Sequence, residues 1–210
     1  MTTFLRFIAI SFLGVSLTAC ATFDPATRSA PLEVEGFQTL EPSFDVTELR
    51  IAVPKSLRVS EANVYYPIAD IVWRGDPIGD RHKQVLDIFA VSMPRGTARL
   101  EGVQPVAVDV EVTRFHSLTE KARYSVGGVH SIRFYLTVSD ARTGLEIVPR
   151  RLVNADLAAL GGRNAIAADR EGKTQKVRIS NHLAQVIEQE LSRPLVAPGA
   201  VVVPEDAPQS

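Results

Sequence analysis

The chain has 210 residues, with 23 Lys and Arg against 24 Asp and Glu, a formal charge of −1 and a single cysteine. Charges of both signs are interspersed, so there is no basic excess of the kind nucleic acid requires. One cysteine excludes an internal disulfide; stability must come from a packed core, and the length suits one domain with loose ends.

Met1–Ala19 has the parts of a secretory signal: Arg6 as its only charge, the apolar run Phe7–Val15, then small residues leading to Cys20. The run is too short to span a bilayer as a helix, which takes roughly 20 residues. Leu17-Thr18-Ala19-Cys20 resembles the lipobox of bacterial lipoproteins, a branched apolar residue followed by two small ones and the cysteine. That resemblance implies cleavage before Cys20 and covalent diacylglycerol and acyl groups, such as palmitate, on that residue, with no other cofactor. Each buried methylene contributes ~0.8 kcal/mol, so two or more acyl chains anchor stably. Ala21 stands where an aspartate would favour the inner membrane, which points to the outer membrane and a domain facing the periplasm. An ordinary signal peptide with Cys20 as a stray thiol is the alternative.

Residues 20–45 carry Pro25, Pro31 and Pro42 with little periodicity and read as a flexible tether. The folded domain is expected over 46–192. Val46–Val53 alternates, with Leu49, Ile51 and Val53 on one face, and Pro54 ends it. Short strands are expected at Leu57–Val59 and Ala69–Trp73, with a loop between them. Asp76 or Asp80 caps a helix whose apolar face is Val85, Leu86, Phe89 and Met93 and which Pro94 is expected to end.

Val106, Val108, Val110 and Val112 alternate with polar residues, the pattern of a sheet covered on one face only. Phe115–Gly128 reads as a long connection, and Ile132, Phe134, Leu136 and Val138 as the next inward face. Asp140–Gly144 is a hairpin turn, and the strand returning from Leu145 carries Pro149, a mark of an edge or bulge. Asn154–Lys173 reads as loop with a possible helical turn. A second helix is expected from Gln175 to Leu191, then a Pro-rich disordered tail over 193–210. The fold class is α+β: a two-layer sandwich of a mostly antiparallel sheet with two helices on one face.

None of His82, His116, His130 and His182 has metal-ligand spacing to another. Asp76, Asp80 and His82 could serve acid–base chemistry if they converged, against a plainer role in helix capping. The loop after Phe115 carries Lys121 and Arg123 with His116 and His130 near its ends, a set able to meet an anionic lipid headgroup or glycan. Trp73, Arg74, Asp76 and Asp80, with His116, Lys121, Arg123, Tyr124 and His130, make up the candidate interaction surface.

The run Trp73–Arg81, the stretch from Phe115-His116 through Lys121-Ala122-Arg123-Tyr124 to Gly127-Gly128-Val129-His130, and Gln175–Ile179 resemble a family of uncharacterised bacterial lipoproteins, over most of Val46–Leu191. Ile51–Pro54, the helix and the Ser139–Gly144 hairpin are similar in architecture to small envelope lipoproteins of the curli-secretion and penicillin-binding-protein-activator type. The first likeness supplies no activity; the second implies a non-enzymatic accessory module that docks another envelope protein and is held to the membrane by lipid. A lipid- or small-ligand-binding protein, with an apolar cavity between sheet and helices, is one alternative; a hydrolase using Asp76, Asp80 and His82 is the other.

Overall fold

The computed structural model describes residues 39–196, so the signal segment, Cys20, most of the tether and most of the tail lie outside the described residues. The elements run β1 (Thr39–Leu40), β2 (Phe44–Ala52), β3 (Ile71–Val72), α1 (Arg81–Thr97), β4 (Gln104–His116), α2 (Glu120–Arg123), β5 (Gly128–Asp140), β6 (Glu146–Asn154), β7 (Leu157–Ala159), α3 (Gly162–Arg170), α4 (Gln175–Leu191) and β8 (Leu195–Val196). The main sheet has the order β2-β4-β5-β6; β3 extends the β2 side and β7 the far end of β5. One face is covered by α1 and α4, as the alternation on β4 requires.

The core is the meeting of four stripes. Val106, Val108, Val110 and Val112 of β4 and Ile132, Phe134, Leu136 and Val138 of β5 are all buried, under Val85, Ile88, Phe89 and Met93 of α1 and Ile179, Leu183 and Ile187 of α4. Edge-to-face aromatic pairs tie the layers, with Trp73–Phe115 centroids 5.5 Å apart and Phe89–Phe134 centroids 5.7 Å apart. The opposite face is wet. There Arg50 is bonded to Asp109 at 2.6 Å and Arg150 stacks on Tyr135 at 3.4 Å from the ring centre.

The structure departs from the sequence reading at definite places. β2 and β4 are parallel, with Leu49 beside Val108 and Ile51 beside Val110, because α1 provides the long crossover that parallel neighbours need. β2 starts at Phe44, two residues inside the expected tether, and residues 39–40 pair with 195–196 where tether and tail were expected. Val59 makes only an isolated bridge to Ile71. Pro94 lies within α1 rather than ending it. The last turn closes downstream of the ring, Ala98 N–H donating to Pro94 O at 3.0 Å, and packing offsets a penalty of about 3 kcal/mol for interior proline. Gly96 supplies that packing: a Cβ there would stand 2.2 Å from Ala184 O, so glycine alone lets the two helices approach. The Asn154–Lys173 stretch holds β7 and α3; α3 has no side-chain cap at Gly161 and buries only Ala165, which leaves it without a start signal or an apolar stripe.

The alternation of β4 also breaks once. Val112 faces Phe134 and Arg114 faces Arg133, so Thr113 is an extra residue, a bulge, and its hydroxyl donates to Arg133 O at 3.2 Å. Beyond it the inward positions shift by one. Phe115 enters the core, and Arg114 and His116 turn to the wet face. Two measurements check this. Phe115→Ala is expected to lower unfolding free energy by about 3–5 kcal/mol in urea denaturation. Deleting Thr113 would leave Val112, Arg114 and Phe115 in regular in–out–in alternation with their present partners, so Arg114 is expected to stay on the wet face and the cooperative transition to survive.

Candidate functional site

One end of the sandwich gathers β3, the end of β4, α2 and the N-terminus of α4. Trp73 follows β3 and is fully buried, its indole N–H donating to Asp76 Oδ2 at 2.8 Å. The chain folds back over the ring at Gly75, where a Cβ would be 2.3 Å from the indole. Asp76 also accepts from Lys176 Nζ at 2.8 Å, joining the first loop to the first turn of α4. Burial acts against its charge, but the bonds from Lys176 and Trp73 prevail and hold the carboxyl below the usual range.

A second knot lies beside it. Arg74 donates through Nε to Glu120 at 2.9 Å and through Nη1 to Glu61. Glu61 turns also to Arg81, whose side chain is buried and donates to Glu61 Oε1 at 2.6 Å and to the carbonyls of Asp76 and Pro77 at 3.1 Å each. The Arg81 bond is the main cause that keeps Glu61 below its ordinary pKa. Arg123 is buried against Asp169. Together Arg74, Glu120, Arg123, Asp169 and Lys176 line a polar cavity of about 220 Å³ in which each of these cations faces a carboxylate.

Beneath it sits His130, 1% exposed. Its Nδ1 is 2.8 Å from Ser117 Oγ, which itself donates to Gln175 Oε1 at 3.2 Å. With the hydroxyl hydrogen given to Gln175, Nδ1–H donates to Ser117, and Nε2 is left with a bare lone pair and no partner among the described residues. Burial, with the fields of Arg178 and Arg123, pushes His130 down to about 3. A space of about 10 Å³ beside it has room for one water.

On the wet face of the sheet lies a different cavity, about 430 Å³, walled by Tyr65, Tyr66, Leu118, Val126 and Val129 with Arg114 and His116 from the end of β4. Arg114 donates to His116 Nδ1, and Lys121 stands over the Tyr65 ring at 4.7 Å. Burial first, then the Arg114 charge, lower the His116 pKa, so the ring is neutral.

The candidate residues therefore divide. Trp73, Arg123 and His130 are interior, not surface. The indole fills the core, His130 continues the inward face that Ile132 and Phe134 share on β5, and the turn of α2 carries Arg123 to Asp169 of α3. Arg74, Asp76 and Tyr124 gather near the polar cavity, and His116 and Lys121 at the apolar one. Asp80 stands apart: it caps α1 by accepting from Lys83 N at 3.0 Å and pairs with Lys55 at 3.1 Å. His82 Nε2 meets Leu57 O at 3.0 Å. Asp80 Oδ1 also lies 3.9 Å from His82 Nδ1, while Asp76 is held elsewhere by Trp73 and Lys176, so the three do not converge. Glu61, Glu120, Asp169, Lys176 and Arg114 escaped the sequence reading; Lys176 reaches Asp76 across 100 positions, a distance no local pattern reports.

The fold and this end define an α+β sandwich with a closed ionic knot on one side and an open aromatic cavity on the other. The chain belongs to DUF6778, a family of unknown function, whose model matches residues 44–203. No curated protein matches it. Among solved structures, a Xanthomonas campestris protein of the DUF330 family is similar over 75% of this chain and 85% of its own, at 12% identity and a TM-score of 0.40. A Caulobacter crescentus protein named as a candidate lipoprotein is similar over 50% of this chain and 79% of its own, at 18% identity and a TM-score of 0.25.

His130 makes stability depend on pH. Its folded pKa of about 3 lies below its ordinary value of 6.5, so the unfolded chain binds the proton first. The contribution is complete above 6.5 and is lost as the pH falls from there towards 3. Unfolding free energy is expected to drop by about 2–3 kcal/mol between pH 7 and pH 4.5. His130→Gln should flatten that slope in denaturant titrations at several pH values.

Proposed function

We propose that the protein is a bacterial envelope lipoprotein, anchored through acylated Cys20 in the outer membrane and facing the periplasm, and that it works as a non-enzymatic docking module. The anchor rests on Leu17-Thr18-Ala19-Cys20, which closes the signal segment with the sole cysteine. What carries the docking role is the apolar surface at the end described above. Tyr66 is 86% exposed, Ile68 87% and Val126 73%, with Val64, Tyr65, Tyr124 and Val129 also exposed beside them in sequence. These residues come from the loop before β3 and from the α2–β5 segment, and Tyr65, Tyr66, Val126 and Val129 meet at the rim of one cavity. A clustered apolar surface of this kind marks a place where another molecule sits.

Asp76 is tied to Trp73 and Lys176 away from Asp80 and His82, and Asp80 is engaged as the cap of α1, which favours this reading over hydrolysis. The solid packing between sheet and helices, with residues such as Phe89, Val108, Phe134 and Leu183 at 0% exposure, likewise speaks against a ligand buried in that layer. The similarity to curli-secretion and penicillin-binding-protein-activator lipoproteins serves as an analogy for the role, with another envelope protein as partner and no nucleic acid.

Two experiments test it. Cys20→Ala is expected to abolish incorporation of labelled palmitate and to release the protein from the outer-membrane fraction; unchanged labelling would overturn the anchor. A photocrosslinking amino acid at Tyr66 is expected to trap one envelope protein in intact cells, while the same group at Leu145, exposed on the β5–β6 hairpin, traps none. Equal capture at both positions would refute docking through this end.

A further inference from the structure

The cavity on the wet face has a charge pattern unlike the rest of this end. Arg74, Arg81 and Arg123 each hold a carboxylate. Arg114 holds none among the described residues: Nη1 donates to Ala69 O at 3.3 Å, Nη2 donates to His116 Nδ1, and the remaining three of its five N–H donors have no partner there. No residue lining the cavity carries a carboxylate. Directly across the ladder, on the same face, stands Arg133, exposed and without an ion pair among the described residues. Like charges placed opposite one another destabilise a sheet. Lys121, over Tyr65, is a third cation with no carboxylate partner among the described residues. Of these cations Arg114 lines the cavity itself, among aromatic and aliphatic walls, and being half-buried it is the least able to be neutralised by bulk water.

We propose that this cavity binds a single-chain anionic amphiphile of the fatty-carboxylate kind, its carboxylate on the free N–H donors of Arg114 and its chain between Tyr65 and Tyr66 on one side and Val126 and Val129 on the other. This rests on the reading that this end is the working end of the molecule. The planar guanidinium matches a carboxylate in both geometry and charge. The bond to neutral His116 fixes the guanidinium plane, and the volume of about 430 Å³ falls in the range of small-molecule sites, ~300–1,000 Å³. The Thr113 bulge preserves the site, since regular alternation through Thr113 would point Arg114 into the core.

The test uses the purified full chain in phosphatidylcholine nanodiscs, labelled with a diazirine-bearing fatty acid and mapped by peptide mass spectrometry. Labelling is expected to concentrate in the peptides holding Tyr65–Ile68 and Val126–Val129. Dodecanoate should compete, while dodecanol, dodecyltrimethylammonium and inorganic phosphate should not. Arg114→Gln should weaken competition by dodecanoate about tenfold, the loss of one charge-assisted bond. Val129→Glu, which places a carboxylate in an exposed wall position, should abolish labelling. Thermal unfolding of both variants confirms that they are folded. Labelling spread evenly over the surface, equal competition by dodecanol, or unchanged labelling of folded Arg114→Gln would overturn the proposal; stronger competition by dodecyl phosphate than by dodecanoate would overturn the carboxylate assignment. No partner protein is present in this assay, so its failure and the failure of crosslinking at Tyr66 in cells are separate results.

Discussion

β4 is the strand on which the rest of the molecule is assembled, because both of its edges and its whole apolar face are occupied. One edge carries β2 and then β3 in parallel, and the other carries β5 in antiparallel register from Val106 to His116. Its four inward valines are the floor on which Phe89 and Met93 of α1 and Leu183 and Ile187 of α4 rest. Burying each such side chain contributes on the order of 1.5–3 kcal/mol, and β-branched valines lose little freedom when fixed in a strand. A polar residue at Val108 or Val110 would therefore act on both edges and both helices together.

The bulge at Thr113 converts this floor into a site. Up to Val112 the strand alternates as a one-sided sheet must; one extra residue then exchanges the two faces. Phe115 thereby reaches Trp73 and Phe89, which seals the end of the core, and the same step turns Arg114 and His116 towards the cavity walled by Tyr65 and Val129. Core closure and site formation both depend on Thr113 being taken up as a bulge rather than as a regular strand position, so the two are linked through one register.

This explains which features the sequence displays and which it hides. The helix Gln175–Leu191 and the inward face Ile132–Val138 are legible because one period runs through each without interruption, and the Asp140 turn is legible because its contacts are local: Asp140 Oδ1 accepts from Arg142 N at 2.9 Å and Thr143 N at 2.8 Å, and Gly144 has φ 73°. Phe115 reads as the start of a loop because the bulge breaks the alternation at that point. Parallel pairing of β2 with β4 leaves the same period in both strands as antiparallel pairing would. The ionic partners are hidden for another reason. Arg74–Glu120, Arg123–Asp169 and Asp76–Lys176 each span 46 or 100 positions, and only the assembled fold brings them together. Trp73 and His130 read as surface residues because polarity in the neighbouring sequence says little about where one side chain lies.

The two cavities at this end then divide the labour by how their charges are satisfied. In the polar one, Arg74, Arg123 and Lys176 meet Glu61, Glu120, Asp169 and Asp76, and these bonds clamp the loop before α1, α2, α3 and α4 to one another. A ligand entering there would have to break pairs already made. In the apolar cavity Arg114 has no carboxylate partner among the described residues and much of the wall is exposed, so an incoming anion with an apolar body gains contacts and breaks no ion pair. The closed knot holds α2 in place, and α2 is shared: Glu120 and Arg123 serve the clamp, while Ala122 on the same turn lines the open cavity. The rigidity of the one is therefore what keeps the other formed before anything binds, and a preformed cavity loses less free energy to ordering when it is filled.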